Sequence, residues 1–172
     1  DRLGGNLPCL LGPVPSGGGP PKEEAPRLNG YEPLSRINAG GMGVVWRVRD
    51  LQFGRTLAIK VMKARRCNDP DAVHRFLAEA QITGQLTHPF IVPIHAMGRL
   101  PDNRPYYTMK LVEGKTLAAL LESRPDPSAR PTELVQIFGQ VCQAVAFAHS
   151  RAIIHRDLKP ANVMVGAHGE VQ

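Results

Sequence analysis

The chain has 172 residues, enough for a medium-sized domain with its own core, and 21 basic against 15 acidic side chains give a formal charge of +6. Part of that excess clusters at Lys60, Lys63, Arg65 and Arg66, but the other positives are dispersed among acids with little aromatic interleaving, which argues against a nucleic-acid surface. Cys9, Cys67 and Cys142 lack the paired spacings of a disulfide framework or zinc site, and no apolar run approaches the roughly 20 residues that span a bilayer, so a reducing, cytoplasmic setting is expected, with Cys142 in the core.

In chain order, residues 1–27 are dominated by Pro and Gly and cannot bury enough apolar surface to offset the entropy of ordering, so they read as a disordered leader. From Tyr31 the pattern changes to short β-prone runs. Tyr31 to Ala39 and Val44 to Arg49 flank a glycine-rich turn, and Arg55 to Met62 is a third run in which Leu57, Ile59 and Val61 alternate. A helix is predicted next, with Asp69 as N-cap, Pro70 in its first turn and a face of Val73, Phe76, Leu77 and Ala80. Ile91 to Met97 and Tyr106 to Val112 read as two more strands. After Gly114 the chain turns helical, first over Thr116 to Glu122. A longer helix then opens at Pro131, with Leu134, Ile137, Phe138, Val141, Val145 and Ala148 as its apolar stripe. No internal repeat is visible.

The glycine-rich turn reads Ile37-Asn38-Ala39-Gly40-Gly41-Met42-Gly43-Val44-Val45. Glycines here let a backbone approach phosphate oxygens closely and leave amides free to donate, although a plain β-hairpin could carry the same cluster. Lys60 is a charge inside an apolar alternation, Leu57-Ala58-Ile59-Lys60, and an ammonium in a half-buried strand needs an anionic partner. Glu79 on the following helix is the natural candidate. Taken alone, the two would be an ordinary surface ion pair worth about 0–1 kcal/mol. The last motif is His155-Arg156-Asp157-Leu158-Lys159-Pro160-Ala161-Asn162. The remaining histidines, His74, His88, His95, His149 and His168, have no metal-ligand spacing.

A glycine loop, an Ala-x-Lys strand, a helical Glu and His-Arg-Asp-x-Lys-x-x-Asn in that order make the chain from about Tyr31 resemble the protein kinase family, more narrowly the bacterial serine/threonine kinases of the eukaryotic type. The resemblance implies an α+β, two-lobe fold: an N-terminal lobe of five antiparallel strands and one helix over about 31–112, and part of a helical C-terminal lobe over 113–172. It implies ATP and Mg²⁺ as cofactors and a protein Ser or Thr hydroxyl as acceptor, the Lys159-Pro160 pair being the serine/threonine form. Asp157 would orient the hydroxyl and accept its proton, Lys159 would neutralise charge on the γ-phosphoryl, and Asn162 would bind a metal ion. Lys60, paired with Glu79, would hold the α- and β-phosphates. The turn from Ile37 to Val45 would cover the phosphates, and Val45, Ala58 and Met164 would sandwich the adenine. Met109 would stand at the back of the slot, and the Lys110 and Val112 backbones would meet the adenine edge. Ile94, Thr83 and His155 would belong to a packed column between the lobes, and Arg156 resembles the arginine of kinases regulated by activation-loop phosphorylation.

Asn38 stands in place of the first glycine of the loop motif, a mild change because Asn visits left-handed backbone conformations readily. The Asp-Phe-Gly motif is expected beyond Gln172, so these residues read as a kinase domain incomplete at its C-terminus, with little or no activity expected alone. The alternatives are a truncated pseudokinase acting as a nucleotide-binding or scaffold module, and a small-molecule phosphotransferase of the same fold. A homodimer through the N-terminal lobe is compatible with the resemblance. Membrane attachment would have to lie downstream.

Overall fold

Strand register decides which side chains share a face, and here it divides the sheet residues into two sets. The computed structural model describes residues 24–126, 131–166 and 169–172. The leader assigned to residues 1–27, with Cys9, falls almost wholly outside them, as does His168. Five strands, β1 (Tyr31–Ala39), β2 (Gly43–Asp50), β3 (Arg55–Met62), β4 (Ile94–Arg99) and β5 (Pro105–Lys110), form one antiparallel sheet in the order β1-β2-β3-β5-β4. Directly paired residues lie on the same face of such a sheet. Val44 pairs with Val61, which pairs with Tyr106, and Val48 pairs with Leu57. Val48, Leu57 and Val61 join Ile59 and Leu100 in a buried cluster on the outer face, with Tyr106 packed against it.

The other face carries Met62, Tyr107 and Met109, and α1 (Pro70–Gly84) packs against it through Ala72, Phe76 and Ala80, spaced four residues apart. Val73 and Leu77 add partly buried contacts. Helix α1 starts where the sequence places it. The Asp69 side chain accepts from the Asp71 and Ala72 amides, both at 3.1 Å, and Pro70 occupies the first turn, where a missing N–H costs nothing.

The lower part is smaller. β6 (Gly114–Thr116) leads into α2 (Leu117–Glu122), capped by the Thr116 hydroxyl accepting from Ala119 N at 3.1 Å. α3 (Pro131–His149) follows, then a 3₁₀ turn at Pro160–Asn162 and β7 (Met164–Gly166), which pairs antiparallel with β6. Ile137, Val163, Val165 and Val171 are buried together, with Leu117, Leu120, Leu134 and Val141 packed around them. Where β6 and β7 meet, a Cβ on Gly114 would collide with the Val165 carbonyl, so the pairing requires glycine there. No helix among the described residues is long and apolar enough to cross a membrane.

Three expectations need correction. The strand anticipated over Ile91 to Met97 is β4, shifted to Ile94–Arg99: Pro93 has no N–H for the ladder, and its carbonyl accepts from Lys110 N at 3.1 Å. Phe138 leaves the α3 stripe. One residue on from Ile137, it is turned about 100° away and, with Val135 and Cys142, forms a second, exposed face; the Val135 and Phe138 exposures are 69% and 68%. Cys142 is therefore not a core residue. Asn38 stays within β1 with no positive φ, and its side-chain oxygen instead accepts from Ala39 N at 2.7 Å.

Candidate active site

Across β2, β3 and β5, Val45 pairs with Lys60 and Lys60 with Tyr107, while Arg47 pairs with Ala58 and Ala58 with Met109. Val45, Ala58, Lys60, Tyr107 and Met109 thus share the face that α1 covers. A one-residue slip in register would turn Lys60 to the opposite side. Val44 lies on that opposite face, at 3% exposure, so only its backbone could meet a ligand in the cleft.

Lys60 Nζ lies 2.7 Å from Glu79 Oε1, and the Tyr107 hydroxyl donates to the same oxygen at 2.7 Å. The ammonium also sits 5.8 Å from the Phe76 ring centroid and 5.5 Å from that of Tyr107, two faces that attract a cation. With side-chain exposures of 21% for Lys60 and 47% for Glu79, the pair is half-screened rather than free in water. Tyr107 is itself buried. Burial first, then the Glu79 charge and the hydrogen bond to it, push its phenol well above the usual range, so it stays a donor at any physiological pH.

The glycine-rich turn is closed by Gly40 N donating to the Gly43 carbonyl at 2.9 Å and is tied to the chain after β3 by Lys63 N donating to the Met42 carbonyl at 3.1 Å. The Met42 side chain packs onto the α1 cluster and anchors the turn. A Cβ on Gly43 would lie 2.8 Å from the Val61 carbonyl, whereas one on Gly41 would meet nothing within 4 Å. Gly43→Ala should therefore lower the melting temperature of the protein. Gly41→Ala should leave it unchanged, a contrast read by thermal denaturation.

The motif from His155 to Asn162 forms a compact polar knot. Lys159 Nζ lies 2.9 Å from Asp157 Oδ1, and Asn162 Nδ2 donates to the Asp157 carbonyl at 2.8 Å and to Oδ2 at 3.0 Å. The Lys159 and Asn162 hydrogen bonds, in that order, hold the Asp157 carboxyl below the usual carboxylate range. Arg156 has φ +62°, and Asp157 N donates back to the His155 carbonyl at 2.8 Å, closing a three-residue turn of a strained kind. His155 is exposed rather than packed between the lobes, its Nδ1 accepting from Asp157 N at 3.3 Å. Ile94 does pack on the α1 cluster, and Thr83 is partly buried.

A cleft of about 950 Å³ has Lys60, Glu79 and Thr83 on its upper wall and Asp157, Leu158 and Asn162 on its lower wall. It brings Lys60, Glu79 and Asp157 together; Lys159 does not line it and reaches it only through its bond to Asp157. It does not include the adenine-slot residues: Val45, Ala58 and Met109 stay on the sheet face, and Met164 is the partly buried first residue of β7. Of the glycine turn, Ile37 is 47% exposed, and Asn38, Gly40 and Gly41 are open to solvent. Lys110 has its N–H committed to Pro93, so only its carbonyl could be offered to a base. Among the described residues no group of three His, Cys, Asp or Glu side chains could hold a metal. Sequence reasoning missed Tyr107, whose signal was its place two residues before Met109 on the same strand face. It also missed the Arg47–Glu113 ion pair, 2.8 Å long, between β2 and the segment after β5.

The family model described as protein kinase domain matches residues 31–172. The serine/threonine-protein kinase PknD of Protochlamydia amoebophila (strain UWE25) is 39% identical over 151 residues, covering 82% of this chain and 15% of that protein. PknB of Mycobacterium leprae is 37% identical over 145 residues, covering 83% and 23%, and PknA of Mycobacterium tuberculosis 36% over 150 residues, covering 84% and 34%. The chain thus spans about a third or less of these curated relatives. The crystal structure of the Mycobacterium tuberculosis PknI kinase domain superposes with a TM-score of 0.69 at 29% identity, over 83% of this chain and 57% of that one. The PpkA-294 apo form superposes with a TM-score of 0.77 over 89% and 60%, at 20% identity, a likeness of fold. With the two-lobe α+β architecture and the ordered motifs, these matches show that the chain belongs to the protein kinase family.

Proposed function

We propose that the chain serves an ATP-dependent serine/threonine protein kinase, which moves the γ-phosphoryl of ATP to a protein Ser or Thr hydroxyl. The observation that carries this reading is that the Lys60–Glu79 pair and the hydrogen-bonded Asp157 and Asn162 line one cleft, with Lys159 bonded to Asp157 at its edge. The donor set fits a nucleotide with a hard cation: an ammonium for phosphate oxygens, an open glycine turn, and the Asn162 amide oxygen for an oxygen-seeking ion. When bound, Mg²⁺ would neutralise phosphate charge.

The chain's own residues divide the remaining work. Lys60, fixed by Glu79 and two aromatic faces, would hold the α- and β-phosphates. The Gly40 to Gly43 turn would lie over them, and Val45, Ala58, Met109 and Met164 would receive the base, with the backbones of Lys110 and Val112 at its edge. Asn162, its amide nitrogen committed to Asp157, has its side-chain oxygen to offer the metal. Asp157 is ionised at neutral pH and a weak base, so its first task is to orient the acceptor hydroxyl; it takes the proton late, as the new P–O bond forms. Lys159 can leave Asp157 for the γ-phosphoryl as charge builds there.

Phosphoamino-acid analysis of a protein substrate labelled by the enzyme tests the assignment. Phosphoserine or phosphothreonine is expected. Label confined to tyrosine, or to a small molecule, would contradict it.

A further inference from the structure

The hydroxyl of Tyr107 is used by nothing in the scheme above, yet it is 2.7 Å from the oxygen that Lys60 uses. We infer that Tyr107 is a positioning residue, its buried phenol fixing the Glu79 carboxylate on α1 in the place where that carboxylate aligns Lys60 for phosphate. The inference rests on the proposed nucleotide site and deepens it by naming what holds the ion pair in register.

Glu79 is half-exposed and on a flexible stem, so the attraction of one lysine is a weak constraint on it. Tyr107 is a different kind of anchor. It is 3% exposed, and its ring packs on Phe76 at a centroid distance of 5.2 Å, tilted by 45°. It also stands beside Lys60 in the β3–β5 register. With its ring immobilised, it offers one directed O–H to an anion, the charge-assisted kind of hydrogen bond. Because Phe76 and Glu79 are three residues apart on α1, the same tyrosine touches the helix twice on adjacent positions. The bond therefore couples the placement of α1 to the orientation of Lys60.

Tyr107→Phe keeps the ring and removes only the hydroxyl. In titrations with a fluorescent ATP analogue and Mg²⁺, it should weaken binding about fivefold, and the effect should fall below about twofold when Glu79→Ala is already present. A merely structural role would give the same loss in both backgrounds, and that result, or no loss in either, overturns the inference. Lys60→Met serves as the control for the site itself: if it leaves affinity unchanged, the nucleotide reading fails separately. A ligand-free readout is the ¹³C resonance of the Glu79 carboxyl carbon in glutamate-labelled protein. It should move on Tyr107→Phe, and an unmoved resonance refutes the contact whether or not nucleotide binds.

Discussion

In the proposed kinase, Asp157→Asn should lower phosphoryl transfer by roughly 10²- to 10⁴-fold, the span over which a positioned proton acceptor contributes. The replacement has the same shape and can still accept from Asn162, so the loop should keep its fold; what disappears is the charge. Two consequences follow from the geometry. The acceptor hydroxyl loses the group that turns its lone pair toward phosphorus, and Lys159 loses the anion 2.9 Å away that holds it beside the reaction. The loss should fall on kcat, with the KM for ATP changed far less, because Asp157 lies on the wall opposite Lys60. The same bonds set a pH dependence. A carboxyl whose folded value is depressed contributes stability above its unfolded value, near 3.9, and loses it as the pH falls through the lower, folded one. Lys159→Ala removes the largest cause of the depression, so the Asp157 titration, followed by ¹³C NMR, should move upward.

Lys60→Met should weaken nucleotide binding by roughly ten- to hundredfold, the equivalent of about 1.5–3 kcal/mol for a hydrogen bond between charged groups. Methionine fills the same apolar channel between the Phe76 and Tyr107 rings without the ammonium. Glu79 is then left with its Tyr107 bond, and at half exposure it can be solvated, so the fold should survive. Calorimetric titration of ATP with Mg²⁺ reads the affinity, and a melting curve confirms folding. An affinity unchanged by the substitution would mean that the phosphates lie elsewhere.

How far the sequence led depended on whether a residue's role was local. Asp69 and Pro70 announce a helix start by chemistry confined to one turn, and α1 begins there. Lys60 declared itself as a charge in an apolar alternation, and its partner Glu79 could be named because a charge in a half-buried strand needs one. The shift of β4 is also local in cause, since Pro93 has no N–H to give the ladder. Other features depended on neighbours distant in the chain. Phe138 and Cys142 have the polarity of core residues, and only the packing of Ile137 against Val163, Val165 and Val171 shows which face of α3 is covered. The β6–β7 pair has strands of three residues, too short for a period to register. Tyr107 looked like any strand aromatic until the fold set it opposite Glu79.

Whether one cleft holds a nucleotide between Lys60 and Asn162 is tested most directly by titrating ATP into the protein with and without Mg²⁺, and repeating the titration on Asn162→Ala. Saturable binding strengthened by Mg²⁺ is expected of the native protein, and loss of that strengthening when Asn162 is removed. Binding that ignores both the metal and Asn162, or no binding at all, would contradict the proposed site.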